Sequence, residues 1–435
     1  MSSKTNKGKC VLIITYYWPP SGGAGVHRWL KISKYLAENN TVYVYTPANP
    51  DFALKDESLL QKVSPKIKVL KRKIFEPYFI YRAFVKKSDK GQVNQPSSVD
   101  TSKSPIKRMG KWARGNMFIP DPRVFWVKPS FRYLKKIIKE ENIEVIISTG
   151  PPHSMHLIGL KLKKHFGDKV NWIADFRDPW TNIDFYDMLS VGKRADNKNK
   201  RLERQVIETC SNLVTVSESW AVSFEELGAS RRKVITNGFD SADYKLIHEK
   251  NNPHFVITHL GSINADRNPE ALWIALNKLC KNKAGFRENL RVRLVGNVHS
   301  NVNKDVAKYD LTENVRFVPN MPHKDAIEEL YNSSLSLLLL NDAKNIDGIV
   351  PGKIYEYMGV GNPILTIGKP NGDAGNIITK NNLGAIADFG DSEAAESALN
   401  AFYESFLNGN LKRFTKESLE KFSIKSISES FEAIF

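Results

Sequence analysis

The chain has 435 residues, 41% of them hydrophobic and 10% aromatic, which excludes a fully disordered protein and predicts two globular domains. No run of about 18 apolar residues occurs, which excludes a membrane-spanning helix, and the polar start does not lead into the apolar core of a signal peptide. The formal net charge of +17 favours an anionic partner, while the absence of helix-turn-helix, RNA-recognition or zinc-finger signatures argues against nucleic acid.

The first half of the sequence alternates predicted strands and helices. Residues 10–16 form a continuous apolar run, as a buried parallel strand does, and a Gly-rich breaker and a helical pattern follow. Further strands are predicted over residues 41–46, 145–148, 172–175, 213–216 and 233–235, and helices over 155–165, 200–210 and 219–227. This order of elements predicts a βαβ opening that continues into a parallel sheet.

Part of this half has a different composition. Residues 86–104 are rich in Ser, Lys, Gln and Asn, which predicts a mobile loop. The surrounding stretch, residues 62–139, contains 21 Lys and Arg against 4 Asp and Glu. This concentration predicts one basic face, suited to an anionic membrane surface or a phosphorylated substrate. A merely solvated surface is the alternative.

The second half repeats the alternating pattern. Strands are predicted over residues 255–260, 291–295, 315–317, 335–340 and 364–367, and helices over 269–279, 324–331 and 353–358. The polar residues 243–253 are a candidate linker. We therefore expect an N-terminal domain over 1–245, a second domain over 254–412, and a helical segment over 413–435 that packs back toward the first.

The first motif is the Gly-rich turn at residues 22–25, directly after the first predicted strand. Glycines allow backbone amides to approach a ligand, and the start of the following helix favours an anion. The turn matches neither a Walker loop nor the dinucleotide fingerprint. A tight strand-to-helix turn without a ligand is therefore the alternative.

The second motif is DFRDPW at residues 175–180, at the end of a predicted strand, where open α/β sheets bind ligands. Two carboxylates and an arginine within four residues make Asp178 a candidate catalytic group. A structural ion pair is the alternative.

The third motif is DGIVPGKIYEYMG at residues 347–359, a Gly-rich loop that leads into a helix. Lys353, in the first turn of that helix, would suit a diphosphate, and Glu356 could accept hydrogen bonds from ribose hydroxyls. The two side chains could instead form an ordinary surface pair three residues apart.

Four segments, in this order, resemble the large glycosyltransferase family 4, retaining enzymes of the GT-B fold. They are YYWPPSGGAGVHRWLKISKYL, VTVSESW with VITNGFD, HLGSINADRNPEALWIAL and DGIVPGKIYEYMGVGNPIL. STGPPHSMHLIGL and IADFRDPWTN resemble a bacterial subgroup that acts on surface polysaccharides. The resemblance spans nearly the whole chain and implies an α/β fold of two Rossmann-like, doubly wound domains facing a central cleft.

The resemblance also implies site residues. The implied donor-binding residues are Gly23, Ala24, Gly25, Gly261, Ser262, Arg267, Asn320, Met321, Gly348, Ile349, Val350, Lys353 and Glu356. The candidate catalytic residues are His153, Asp178, Arg267 and Lys353, and His156 and His27 are weaker candidates. One departure from the family stands out. Relatives commonly carry a glutamate at the place of Gly348, beside the transferred sugar.

We therefore predict a retaining glycosyltransferase of the hexosyltransferase type. It would move a sugar from a nucleoside-diphosphate sugar to a saccharide or a polyprenyl-diphosphate-linked saccharide in cell-surface polysaccharide synthesis. The donor is a co-substrate, and we expect no other cofactor and no metal, since no DxD-like motif lies at a strand end and the three cysteines are far apart.

We expect a cytoplasmic protein with peripheral attachment to the inner face of the plasma membrane through the basic stretch. Two alternatives remain open. One is a sugar-nucleotide epimerase of the same fold, and the other is a catalytically weak binding or scaffold protein at the membrane.

Overall fold

The computed structural model describes residues 8–77, 112, 114–183, 186, 189–244, 252–343, 345–415 and 417–435. The predicted mobile loop over 86–104 lies outside these residues. The chain divides into two compact units. The first comprises Met1–Thr236 and Ile424–Phe435, and the second comprises Asn237–Ser423.

The first unit is built on a seven-stranded parallel sheet. Its strands are β1 (Cys10–Ile14), β2 (Thr41–Pro47), β3 (Lys68–Arg72), β4 (Val145–Gly150), β5 (Asn171–Phe176), β6 (Asn212–Thr215) and β7 (Arg232–Val234). They lie in the order β3-β2-β1-β4-β5-β6-β7. The order therefore reverses between β1 and β4, and such a switch point opens a crevice at the carboxyl ends of the strands.

Helices cover the first sheet: α1 (Ala24–Asn39), α2 (Val124–Glu140), α3 (Ser154–Phe166), α4 (Lys193–Thr209), α5 (Glu218–Glu226) and, from the end of the chain, α13 (Ile424–Glu432). The last of these packs on α1, where the Trp29 and Phe431 ring centroids lie 5.0 Å apart. Ile424 and Ile427 are buried in the same core as the apolar face of α1. The C-terminal helix is therefore an integral part of the first unit.

The second unit is built on a six-stranded parallel sheet. Its strands are β8 (Phe255–Leu260), β9 (Leu290–Val295), β10 (Val315–Val318), β11 (Leu335–Leu339), β12 (Ile364–Ile367) and β13 (Gly384–Ala387). They lie in the order β10-β9-β8-β11-β12-β13, so the switch point lies between β8 and β11. Its helices are α6 (Glu270–Asn282), α7 (Phe286–Asn289), α8 (Ser300–Lys308), α9 (His323–Tyr331), α10 (Lys353–Val360), α11 (Asp373–Lys380) and α12 (Ser392–Leu407).

The predicted fold class, two doubly wound parallel α/β units, is confirmed. The edge strands β3 and β13 and the helices α2, α7, α8, α11 and α12 were not predicted from the sequence. β3 has the sequence KVLKR, and none of its residues is fully buried. It therefore lacks the continuous apolar run by which a buried strand is predicted. Among the described residues, no helix is both long enough and apolar enough to cross a membrane.

The unit boundaries differ from the expected ones. Residues 237–244 were assigned to the first domain but belong to the second unit, where Phe239 and Tyr244 are buried in its core. The segment 413–423 also belongs to the second unit, because Leu419 and Phe422 pack into the same core. The boundaries follow these buried aromatic and aliphatic contacts rather than the polar stretch after residue 243.

Candidate functional site

The glycine loop of the first unit, residues 22–25, follows β1 and includes the first two residues of α1, which begins at Ala24. Gly23 has φ +80°, a backbone conformation that favours glycine, and it caps α1. A Cβ on Gly25 would lie 2.9 Å from the Tyr17 ring, so only glycine fits there. Because Gly23 and Gly25 have no side chains, they do not cover the backbone at the switch point of the first sheet.

Within the DFRDPW motif, Asp175 serves the core. The carboxylate is fully buried and forms an ion pair with Arg28 at 3.0 Å. It also accepts hydrogen bonds from Trp29 Nε1 at 2.7 Å and from Thr149 Oγ1 at 2.8 Å. Asp175 thus joins α1, β4 and β5, and it is a structural residue. Asp178 lies partly buried in the loop after β5.

His153 immediately precedes α3 and is buried against Trp180, with ring centroids 4.9 Å apart and planes 5° from parallel. Burial, together with the nearby His156 and Arg177, lowers the pKa of His153 well below its usual value, although a hydrogen bond to the Pro179 carbonyl opposes this. Among the described residues, its Nδ1 atom has no hydrogen-bond partner. His153 is therefore a neutral imidazole with one unused acceptor nitrogen.

His156, one turn further along α3, has a structural partner. Its Nδ1 atom lies 2.9 Å from Ser148 Oγ, and burial followed by the charge of Arg177 lowers its pKa to about 3. Nε2 of His156 also has no hydrogen-bond partner among the described residues. His156 is fully buried, whereas His153 keeps 8% of its surface exposed, so His153 is the better placed of the two to meet a substrate.

In the second unit, Gly261 follows β8 with φ +109°, and a Cβ at that position would lie 2.3 Å from Lys353 Nζ. The glycine therefore makes room for the lysine ammonium at the switch point between β8 and β11. Lys353 is the first residue of α10, at the end of the helix where the helix dipole favours an anion.

Arg267 is the second cation at this place. Its Nε atom donates to Asn341 Oδ1 at 2.5 Å, across the switch point, and its Nη1 atom donates to the Ser262 carbonyl at 3.3 Å. Burial first, and then the charge of Arg267, lowers the pKa of Lys353 to about 8. Within the described part of the chain, neither cation forms an ion pair, and this arrangement attracts an anion.

Glu356 lies one turn after Lys353 on α10. Its Oε1 atom is 3.1 Å from Nε2 of His323, the first residue of α9. The exposed Asn320 and the half-buried Met321 lie in the loop directly before that helix. The structure thus brings the residue predicted for ribose close to the loop predicted for the nucleobase.

A cavity of about 210 Å³ lies at the carboxyl ends of β9 and β10, beside that loop. It is lined by Gly296, Val298, Asn303, Phe317, Val318 and Pro319. These residues were not predicted from the sequence. The available signals were a glycine directly after a strand and the exposed Phe317 near the end of another.

The residues before α10 are mostly buried. Gly348 ends the 3₁₀ turn Ile346–Gly348, Ile349 packs against the core, and Val350 belongs to it. Asp347, the carboxylate next to Gly348, is in an ion pair with Lys369 at 2.6 Å. In the described residues no group of three His, Cys, Asp or Glu side chains could hold a metal ion.

Comparison with known proteins places these features in a family context. Residues 240–418 match the family model described as glycosyl transferases group 1. No curated protein sequence matches the chain.

Several solved structures resemble the whole chain. Sucrose-phosphate synthase from Thermosynechococcus elongatus superposes with a TM-score of 0.62 at 12% identity, covering 98% of each chain. WaaG, titled a glycosyltransferase involved in lipopolysaccharide biosynthesis, gives 0.53 at 14% identity over 98% of this chain and 99% of its own. The lipopolysaccharide outer core galactosyltransferase WaaB gives 0.55 at 14% identity over 98% of each.

At these identities the structural likeness establishes the fold, and the family model identifies the domain that residues 240–418 form. The chain therefore has the GT-B fold of these structures, and its second unit carries a glycosyl transferases group 1 domain.

Proposed function

We propose that this chain is a retaining glycosyltransferase that moves a sugar from a nucleoside-diphosphate sugar to a saccharide or lipid-linked saccharide in cell-surface polysaccharide synthesis. The observation that carries the donor part is the pair of cations at the start of α10, Lys353 and Arg267, for which the described residues provide no ion pair. A diphosphate supplies the missing negative charge.

Each part of the donor is assigned to residues of the second unit. Its diphosphate binds Lys353, Arg267 and the amides at the start of α10. Its ribose hydroxyls bind Glu356, which exchanges its contact with the exposed His323 for them. The base occupies the cavity beside Asn320 and Met321, where Phe317 offers an aromatic surface.

The same cations serve the chemistry. As the bond between sugar and diphosphate breaks, negative charge grows on the leaving group, and preorganised positive charge stabilises it. Members of the family that the sequence resembles commonly carry a glutamate at the place of Gly348. Because glycine has no side chain, this chain has no carboxylate there to contact the transferred sugar. We expect this position to widen or alter the choice of donor sugar. In the first unit, the neutral His153 and Asp178 are the candidates for contact with the acceptor hydroxyl.

The acceptor part of the proposal places the first unit on an anionic membrane, where a lipid-linked saccharide resides. Trp126, within the basic stretch over residues 62–139, is not available for membrane insertion, because it is buried and its ring centroid lies 4.6 Å from that of Tyr45, on which it stacks. Phe75 and Phe125 are 54% and 46% exposed, and their rings lie 5.6 Å apart. Exposed Lys73 and Lys128 are close to them in sequence. Such a combination suits peripheral attachment on the cytoplasmic side.

Donor turnover tests the proposal. A panel of nucleotide sugars is screened by thermal shift, since a ligand at a hundred times its Kd adds about 2.7 kcal/mol of stability. Consumption of the selected donor is then measured with and without saccharide acceptors. Transfer with retained anomeric configuration, read by NMR of the product, supports the proposal. Conversion of the donor without an acceptor would indicate an epimerase, and binding without turnover would indicate a scaffold protein.

A further inference from the structure

Arg177, the third residue of the DFRDPW motif, joins two loops at the switch point of the first sheet. Its Nη1 atom donates to the Gly25 carbonyl at 3.1 Å, in the glycine loop after β1. Its Nη2 atom donates to the Pro151 carbonyl, in the turn after β4. Because β1 and β4 are the two strands between which the order reverses, one guanidinium connects both sides of the crevice.

The glycine loop is shaped to receive this guanidinium. A Cβ on Gly25 would lie 3.4 Å from Arg177 Nη1, in addition to its clash with the Tyr17 ring. The guanidinium carbon lies 5.9 Å from the centroid of that ring. The backbone amide of Arg177 also donates to the Gly150 carbonyl at 3.0 Å, which fixes the residue to the end of β4. Backbone and side chain therefore hold Arg177 in one position.

The other loop leads directly to His153, two residues after Pro151. The turn between them is short, so a carbonyl held at Pro151 restricts where the His153 ring can lie. Trp180 and the Pro179 carbonyl hold the ring from the other side, and both belong to the same motif as Arg177.

We propose that Arg177 is a positioning residue, whose guanidinium holds the glycine loop and the His153 turn in a fixed relation for sugar transfer. This inference rests on the proposed function of the two loops. A lysine cannot replace the arginine, because a single ammonium lacks the planar fork that reaches two carbonyls at once. The competing explanation is that Arg177 only stabilises the fold.

The charge of Arg177 provides a check that its guanidinium lies beside the His153 ring. Among the described residues, the charged or titratable groups that act on His153 are His156 and Arg177, and both lower its pKa in addition to burial. Asp121, from the segment before α2, instead accepts from the Ser154 amide at 2.9 Å. Removing the charge of Arg177 should therefore raise the pKa of His153.

The test compares Arg177→Gln, Arg177→Lys and a control, Arg232→Gln. Arg232 is also partly buried in the first unit, but it lies at the amino end of β7 and pairs with Glu225 at 2.5 Å. For the full-length enzyme we expect Arg177→Gln to lower kcat by at least about tenfold with donor KM unchanged, and to move the titration of His153, followed by NMR, to higher pH. Arg177→Lys should keep the titration of His153 near that of the wild type, but its kcat should be less than half of the wild-type value.

Hydrogen exchange by mass spectrometry separates this inference from the proposed function. Peptides over residues 17–30 and 148–160 should exchange faster in both Arg177 variants, and at the wild-type rate in Arg232→Gln. This readout needs no transferase activity, so a wild-type protein that transfers no sugar would contradict only the proposed function. Unchanged exchange in Arg177→Lys, or full recovery of kcat by lysine, would overturn the positioning role. If Arg177→Gln does not fold, the lysine variant alone decides.

Discussion

Arg28 Nη2 and Asp175 Oδ1 lie 3.0 Å apart inside the first unit, and neither side chain is appreciably exposed to water. Arg28 also donates to the carbonyls of Ile235 and Thr236, at 2.8 and 2.6 Å. Through these contacts one buried ion pair connects α1 and β5 with the last residues of the first unit before the chain enters the second.

Asp175→Asn should destabilise the first unit by about 3–5 kcal/mol, because it leaves the buried Arg28 without its counter-charge. The measurement is the midpoint of thermal unfolding, followed by tryptophan fluorescence. The matched control is Asp168→Asn, which removes an exposed carboxylate paired with Lys163 at 3.2 Å and should change the midpoint little. Equal midpoints for Asp175→Asn and the control would contradict a structural role for this pair.

Lys353 should make diphosphate binding pH-dependent around pH 8. Burial and the charge of Arg267 lower its pKa to about 8 in the folded protein. Between about pH 8 and 10.5 the unfolded chain holds this proton more tightly than the folded one, so the penalty on stability is present below pH 8 and disappears as pH rises through that window. A bound diphosphate favours the charged ammonium, and the affinity should therefore fall as pH rises above 8.

Calorimetry at pH 8 in two buffers of different ionisation enthalpy measures this coupling. Binding of a nucleoside diphosphate should take up protons in the wild type and not in Lys353→Met. Lys308→Met is the control, because Lys308 is exposed and pairs with Glu270 at 2.9 Å. Proton uptake that persists in Lys353→Met would show that another group senses the phosphate.

Glu356→Gln should weaken binding of the nucleoside and of the nucleoside diphosphate by the same factor, since Glu356 is assigned to the ribose. Loss of a hydrogen bond to a charged partner costs about 1–3 kcal/mol. Lys353→Met, in contrast, should weaken the diphosphate far more than the nucleoside. Glu270→Gln removes a more exposed carboxylate at the start of α6 and serves as the control. Wild-type nucleoside affinity in Glu356→Gln would refute the assignment.

The double variant Phe75→Ser/Phe125→Ser should reduce co-sedimentation with vesicles that contain anionic lipid, because both rings are exposed and available for insertion. Wild-type binding should weaken as salt rises and should be much lower on neutral vesicles. Val222→Ser and Leu407→Ser remove side chains of similar exposure, 50% and 51%, away from this patch in sequence, and should not affect binding. Wild-type sedimentation of the double variant would reject the membrane surface.

Local features of the sequence determined the architecture. The short strands β1, β8 and β11 are mainly apolar and almost entirely buried, and glycine turns follow β1 and β8. Such signals depend only on neighbouring residues, so alternation of strands and helices predicted two parallel sheets. The positions of Lys353 and Glu356 at the start of a helix could be predicted for the same reason, since both lie within one turn of a Gly-rich loop.

Only the tertiary structure decided which polar residues meet. Arg177 reaches Gly25 across 152 positions of sequence, Trp29 reaches Asp175 across 146, and Arg267 reaches Asn341 across 74. Parallel strands joined by crossovers bring their carboxyl ends together at a switch point, and no periodic pattern along the chain records which loops become neighbours. For that reason the sequence alone could not separate the buried ion pair of Asp175 from a catalytic carboxylate, or the core Trp126 from an exposed aromatic side chain.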